Sequence, residues 1–179
     1  MLEIQGEGRI FSVTEEELKE IKSAVATLTY GLYVVGAAAG GRINGQTCNT
    51  VFQITSEPVQ VAIGLNQRNL THDLVMESGI FSISVLADDA HDLVRKFGYR
   101  SGRAADKYEG VAYFTGVTGA PVLADCLAYL ECRVQRELCL NCGTHTLFLG
   151  RVEAGGVRKA GQPMTYAYFT ATKFGKKAT

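Results

Sequence analysis

Val59-Gln60-Val61-Ala62-Ile63-Gly64-Leu65, residues 59–65, alternates larger apolar side chains with small or polar ones, and it follows Pro58. A period of two over seven residues predicts a strand with one face in a core. The run stops at Asn66-Gln67-Arg68-Asn69, and Thr71 then caps a short helix, THDLVMES, closed by Gly79. Phe81, Ile83 and Val85 alternate with Ser82 and Ser84, which predicts a second strand. Upstream, Thr29 to Ala38 is apolar and rich in β-formers, Gly40-Gly41 turns the chain, and a partner strand covers about Ile43 to Ile54. Before that hairpin, Thr14 and Glu17 form a capping box, with Leu18, Ile21, Val25 and Leu28 in one apolar stripe. Downstream, Asp88 and Asp89 open a helix over Ala90 to Phe97, with Arg95 and Lys96 in its last turn. Three further strands are expected, at Leu127 to Arg136, Thr146 to Ala154 and Met164 to Thr172. Six or seven strands, three short helices and a helix-free last third exclude a doubly wound parallel fold. They predict a mainly β protein with short α-helices, built as a closed or nearly closed antiparallel barrel.

A chain of 179 residues, 46% hydrophobic and 20% charged, has the composition of one compact domain over 1–179. Its 18 basic residues equal its 18 acidic ones, so no global field recruits nucleic acid or an anionic membrane. The 20 glycines, where a usual ~7% would give about a dozen, suit a chain of many tight turns. No apolar run approaches the ~20 residues of a membrane span, and the start MLEIQGEGRIF lacks the form of a signal segment. A cytoplasmic protein is expected. Residues 173–179 read as a loose basic tail, with the core over about 26–172.

Cysteines stand at 48, 126, 132, 139 and 142, an odd number that does not suit an extracellular disulfide framework. Cys139-Leu-Asn-Cys142 has no second pair to complete four thiolate ligands, and the histidines at 72, 91 and 145 form no HExxH. No metal site is expected. Rossmann, P-loop and nucleophile-elbow motifs are also absent, so hydrolase and dinucleotide-fold readings are weak.

Four polar patches at strand ends remain. Gly45-Gln46-Thr47-Cys48-Asn49-Thr50 interrupts an apolar strand with small hydrogen-bonding groups, which suits either a planar polar ligand or a solvent-facing edge. Asn66-x-Arg68-x-x-Thr71 joins a strand end to a helix start, either a phosphate seat or a plain cap. In the third patch, Arg95, Lys96, Arg100, Arg103 and Lys107 meet one acid, Asp106. The helix dipole accounts for Arg95 and Lys96, while Arg100, Arg103 and Lys107 suit either a phosphate or solvent. Gly143-Thr144-His145-Thr146 brings a lone histidine into a strand.

Taken in order, these patches resemble the flavin reductase-like family, whose fold is the FMN-binding split barrel of antiparallel, Greek-key type. The resemblance runs from about Ala26 to Thr170. It is carried by Y-G-L-Y-V-V at 30–35, N-G-Q-T-C-N-T-V-F-Q at 44–53, N-Q-R-N-L-T-H-D-L at 66–74, F-G-Y-R-S-G-R at 97–103, D-K-Y-E-G-V at 106–111, G-A-P-V-L at 119–123 and G-T-H-T-L-F-L-G at 143–150. With P-M-T-Y at 163–166, the chain is similar to a branch from anaerobes that reduces rubredoxin or flavodiiron partners.

The resemblance implies a homodimer with one FMN per subunit and NAD(P)H as electron donor. It places Gln46, Thr47, Cys48, Asn49 and Thr50 along the isoalloxazine and ribityl chain. Asn66, Arg68 and Thr71 would hold the phosphate with Arg100, Ser101 and Lys107, and Phe97 joins the cofactor-binding set. His145 is the catalytic candidate, beside the nicotinamide. Thr144 replaces the Asp of the family's Gly-Asp-His segment, so the polarity around His145 differs. Cys48 stands where many relatives have Ser or Ala, either tuning the flavin or filling space. The implied activity is an oxidoreductase that accepts hydride from NAD(P)H and passes electrons to flavin or a carrier protein. Its alternative is an FMN electron carrier reduced by a protein partner, and a third class holds haem or free flavin without turnover.

Overall fold

The computed structural model describes residues 2–4 and 11–173. Strands β1 (Leu2–Ile4) and β2 (Phe11–Val13) pair with each other, and α1 (Glu15–Val25) follows. The capping box is formed: Glu17 N–H donates to Thr14 Oγ1, and Thr14 N–H donates to the Glu17 carboxylate at 2.8 Å. Its apolar stripe does not enter the core, however. Ile21, Val25 and Leu28 are each about half exposed, and no residue of α1 is buried.

The main sheet contains β3 (Tyr33–Ala39), β4 (Arg42–Cys48), β5 (Val51–Ser56), β6 (Val59–Asn66), β7 (Ile80–Val85), β10 (Ala128–Val134) and β12 (His145–Val157). Between these lie α2 (Leu70–Ser78), α3 (His91–Gly98), the small β8–β9 pair (Tyr113–Thr115 and Pro121–Leu123), a 3-10 turn at Arg136–Leu138 and β11 (Leu140–Asn141), which pairs with β12. The spatial order is β4-β3-β7-β10-β12-β6-β5, and every pairing is antiparallel. Its two ends, β4 and β5, are consecutive in the chain, so the sheet curls back on itself. Gly64 N–H on β6 donates to Thr50 O at the β4–β5 junction.

Three expectations are corrected. The strand expected over Ile43 to Ile54 breaks at Asn49-Thr50 into β4 and β5, because the chain turns there from one end of the sheet to the other. The strand expected over Met164 to Thr172 is a fourth helix, α4 (Tyr166–Thr172). Thr165 caps it, accepting the Tyr168 N–H at 3.1 Å, and Phe169 is buried beneath it. Only the isolated bridges Gly31–Thr165 and Ala87–Pro163 are β-like there. Third, Asn69 rather than Thr71 is the N-cap of α2. The tail expected at 173–179 lies, apart from Lys173, outside the described residues.

Both faces of β3 are covered. Val35 joins Ile63, Leu65, Val75, Phe81 and Phe148 beside α2, whereas Val34 joins Leu86, Phe97, Leu123, Met164 and Phe169 beside α3 and α4. The serines of β7 are buried too: Ser82 Oγ donates to Pro121 O, and Ser84 Oγ accepts the Leu123 N–H, which fastens β9 over the sheet. On β12, Gly150 lies under the ring of fully buried Phe81; a Cβ there would sit 2.4 Å from Phe81 Cζ. Gly150→Ala is therefore expected to destabilise the fold by about 1–3 kcal/mol, the usual cost of overpacking, read as a lower urea midpoint.

Candidate functional site

Strand β4 is an end strand of the sheet, with different neighbours on its two faces. On one face Asn44 Nδ2 donates to Thr71 Oγ1 at 2.8 Å, and Gln46 Oε1 accepts from Asn69 Nδ2 at 3.1 Å. These bonds tie β4 to the start of α2. On the other face Thr47 Oγ1 donates to Val94 O at 2.9 Å, and Gly45 meets Phe97, which ties β4 to α3. Two glycines allow the approach. A Cβ on Gly45 would lie 3.0 Å from the Phe97 ring, and one on Gly102 would lie 2.3 Å from Asn44 Oδ1.

Between the two helix ends is a cavity of about 280 Å³. Its walls are Asn44, Gln46 and Thr47 of β4, residues 69–71 at the start of α2, residues 97–102 after α3, and Lys107. No side chain caps the first turn of α2, so its leading N–H groups stand at the cavity edge with the positive end of the helix dipole.

Lys107 dominates the electrostatics. Its ammonium donates to Phe97 O at 2.8 Å and Gly45 O at 3.1 Å, the residue is only 5% exposed, and among the described residues no carboxylate pairs with it. Burial pulls its pKa down to about 8. An ammonium held by two carbonyl dipoles, without a counter-charge, favours an anion in the cavity it lines. Among the described residues the Arg100 guanidinium makes no hydrogen bond or ion pair, and it lines the same cavity.

The structure thus gathers Gln46, Thr47, Thr71, Phe97, Arg100, Ser101 and Lys107 around one cavity. Thr71 is there without acting as a cap, since its buried hydroxyl accepts from Asn44. The other expected residues lie elsewhere. Cys48 is buried in the core, its thiol directed to Thr50 O and Gly64 O and pushed up to about 11 by burial. Asn49 and Thr50 form the β4–β5 junction. Asn66 Oδ1 accepts the Arg68 N–H at 3.0 Å, and Arg68 is exposed. His145 is exposed at the start of β12, opposite Asn66, with Nδ1 2.8 Å from Thr144 Oγ1. Asn44 and Asn69 are among the lining residues outside the expected set. Asn44 shares a strand face with Gln46, which is the signal that could have revealed it.

All five cysteines are free, and no cluster among the described residues could hold a metal ion. No described helix is long and apolar enough to cross a membrane.

Residues 25–175 match the flavin reductase like domain, and the chain belongs to that family. It is 46% identical over 154 residues to a protein of Moorella thermoacetica named high molecular weight rubredoxin, covering 85% of this chain and 66% of that protein. It is 42% identical over 151 residues to the ferric-chelate reductase (NAD(P)H) of Archaeoglobus fulgidus, covering 83% and 88% of the two chains. Among solved structures, a Streptomyces globisporus NADH:FAD oxidoreductase in complex with NAD and FAD fragments superposes with a TM-score of 0.74 at 25% identity, covering 87% of this chain and 91% of that one. The split-barrel fold expected of the family is the one observed.

The buried ammonium gives a pH signature. Lys107 has its folded pKa near 8 against an ordinary lysine value of 10.5, so between these limits the unfolded chain binds more protons. Stability from this group is therefore lowest below about pH 8 and rises toward 10.5. The urea midpoint of the wild type, measured against Lys107→Met to remove shared cysteine titrations, is expected to climb across that window. A flat difference would place the ammonium in solvent.

Proposed function

We propose that the chain is a flavin-binding oxidoreductase reduced by NAD(P)H, with the phosphate of FMN seated beside Lys107. The observation that carries this reading is the buried, uncompensated ammonium in a polar cavity edged by the uncapped start of α2. The residues present fit a phosphate-bearing flavin: Lys107 and Arg100 supply charge, Ser101 and Thr71 supply hydroxyls, and the α2 amides supply further donors. Bound flavin supplies the redox chemistry, accepting hydride and releasing electrons onward. The protein's part is to anchor the phosphate, orient the cofactor along the edge of β4 and set the local polarity.

The two enzymatic relatives support a nicotinamide donor, and the Moorella protein's name supports rubredoxin as an acceptor, with a flavodiiron protein as the other candidate. A homodimer belongs to the same proposal. The half-exposed apolar stripe of α1 and the exposed Phe52 and Ile54 of β5 supply apolar surface for a second copy.

Charge-assisted bonds contribute about 1.5–3 kcal/mol, so FMN should bind roughly ten- to a hundredfold more tightly than riboflavin. Equilibrium titrations should show that advantage shrinking in Lys107→Met and in Thr71→Ala. It should also shrink as pH rises past about 8, where free Lys107 loses its proton. Equal wild-type affinity for FMN and riboflavin would sink the phosphate seat.

His145 is proposed to position the nicotinamide. Hydride transfer needs no general base, and the exposed ring keeps Nε2 without a hydrogen bond among the described residues. Stopped-flow reduction of His145→Ala by NADH should slow about tenfold or more, equivalent to about 1.4 kcal/mol, with FMN affinity unchanged. Normal reduction in that variant would leave His145 a strand-end residue and favour the electron-carrier alternative.

A further inference from the structure

We propose that His72 is a positioning residue for transfer from the nicotinamide: from the first turn of α2 it holds Thr146, and through Thr146 the strand end that carries His145. The inference rests on the reading of His145 as the residue that positions the donor. Residues 140–145 are all exposed, so this end of the β11–β12 hairpin takes no hold from the core. Its backbone pairs with Leu65 and Asn66 of β6, and two side chains around the start of α2 reinforce that pairing. Gln67 N–H donates to Thr144 O at 3.0 Å, and Gln67 Nε2 donates to Asn141 Oδ1 at 3.1 Å. His72 Nε2 lies 2.9 Å from the hydroxyl of Thr146, the residue after His145.

The bonding capacities around His72 give the contact a direction. Gln67 Nε2 reaches Thr146 Oγ1 at 3.4 Å as a donor, so the threonine hydroxyl keeps its own proton for His72 Nε2. The ring then carries its proton on Nδ1, which faces Asp73 Oδ1 at 3.5 Å, and Asp73 Oδ2 accepts from Arg103 at 2.5 Å. The ring has little room to shift, because its side chain is only 12% exposed and packs on buried Phe148 with centroids 5.4 Å apart. Side chains alternate along a strand, so Thr146 turns in toward His72 while His145 turns outward. A fixed inner residue therefore fixes the bearing of the outer one. One helix turn serves both ends of the site: Thr71 lines the phosphate cavity, and His72 beside it holds the hairpin.

Two measurements on the full chain test this. In the flavin-free protein, amide hydrogen exchange over 141–146 should rise about tenfold in His72→Ala, the scale of one lost hydrogen bond. His72→Gln, whose amide oxygen reaches the place of Nε2, should restore protection. In stopped-flow reduction of the FMN-loaded chain by NADH, His72→Ala should lower the limiting rate about tenfold, as a small misplacement does, and His72→Gln should recover most of it. FMN affinity and reduction by dithionite should stay at the wild-type level in both. In a His145→Ala background, His72→Ala should cost nothing more, because it acts through His145. Unchanged exchange or a wild-type rate in His72→Ala overturns the proposal, and so does a full second loss in the double variant. If His72→Ala weakens FMN, Thr146→Val breaks the same bond from β12, and a wild-type rate in that variant also overturns the proposal. A slow His145→Ala beside a normal His72→Ala defeats this positioning role alone. A normal His145→Ala defeats the His145 reading and this inference with it.

Discussion

Lys107 carries a positive charge into the one place where β4, the end of α3 and the loop after it meet. Its two bonds, to Gly45 O and Phe97 O, join that end strand to that helix. The next residue continues the junction: Tyr108 is buried, stacks edge-on against Phe97 with ring centroids 5.1 Å apart, and directs its hydroxyl to Pro121 O. One short stretch of chain thus supplies both the cation of the site and the aromatic packing under it. Burial of an unpaired ammonium opposes folding, and the surrounding aromatic core offsets that cost. An anion beside Lys107 relieves the same penalty, so ligand binding and stability are linked through one atom.

The site follows from the position of β4 at the end of the sheet. Among the described residues β4 pairs only with β3, and its two faces meet helix ends of opposite polarity, the start of α2 on one and the end of α3 on the other. The start of α2 brings uncapped donors. The end of α3 brings carbonyls, one of which Lys107 takes. Arg95 and Lys96, in the last turn of α3, point to other work: Arg95 bonds Asp92 and Lys173 O, and Lys96 bonds Glu109 O. Arg95 and Lys96 are thus engaged away from the cavity that Lys107 lines.

Local patterns made much of the fold legible. The period of two in Val59–Asn66 and Ile80–Val85, and the capping box at Thr14, each correspond to the observed element. Legibility failed where a distant contact outweighed the local signal. The TYAYFTAT run at 165–172 has β-strand composition, yet the Thr165 cap and burial of Phe169 make it a helix. Thr71 resembles a helix cap, but its hydroxyl is engaged by Asn44, 27 positions earlier. Asn44 and Asn69 escaped notice for the same reason, since their place in the site depends on the packing of β4 against α2. Basic residues in a loop were readable as charge; that only Lys107 among them is buried was not.

The order of the sheet also governs how the chain can assemble. The hairpin of β5 and β6 lies next to β12, so Val61 waits for Gly150 and Asn66 for His145. During synthesis this hairpin leaves the ribosome long before its neighbour does, with Phe52 and Ile54 on a strand that lacks a second partner. Such non-local pairing closes long loops before contacts reward them, which slows folding and leaves nascent strand edges open to other chains. The last long strand therefore completes the sheet in time as well as in space.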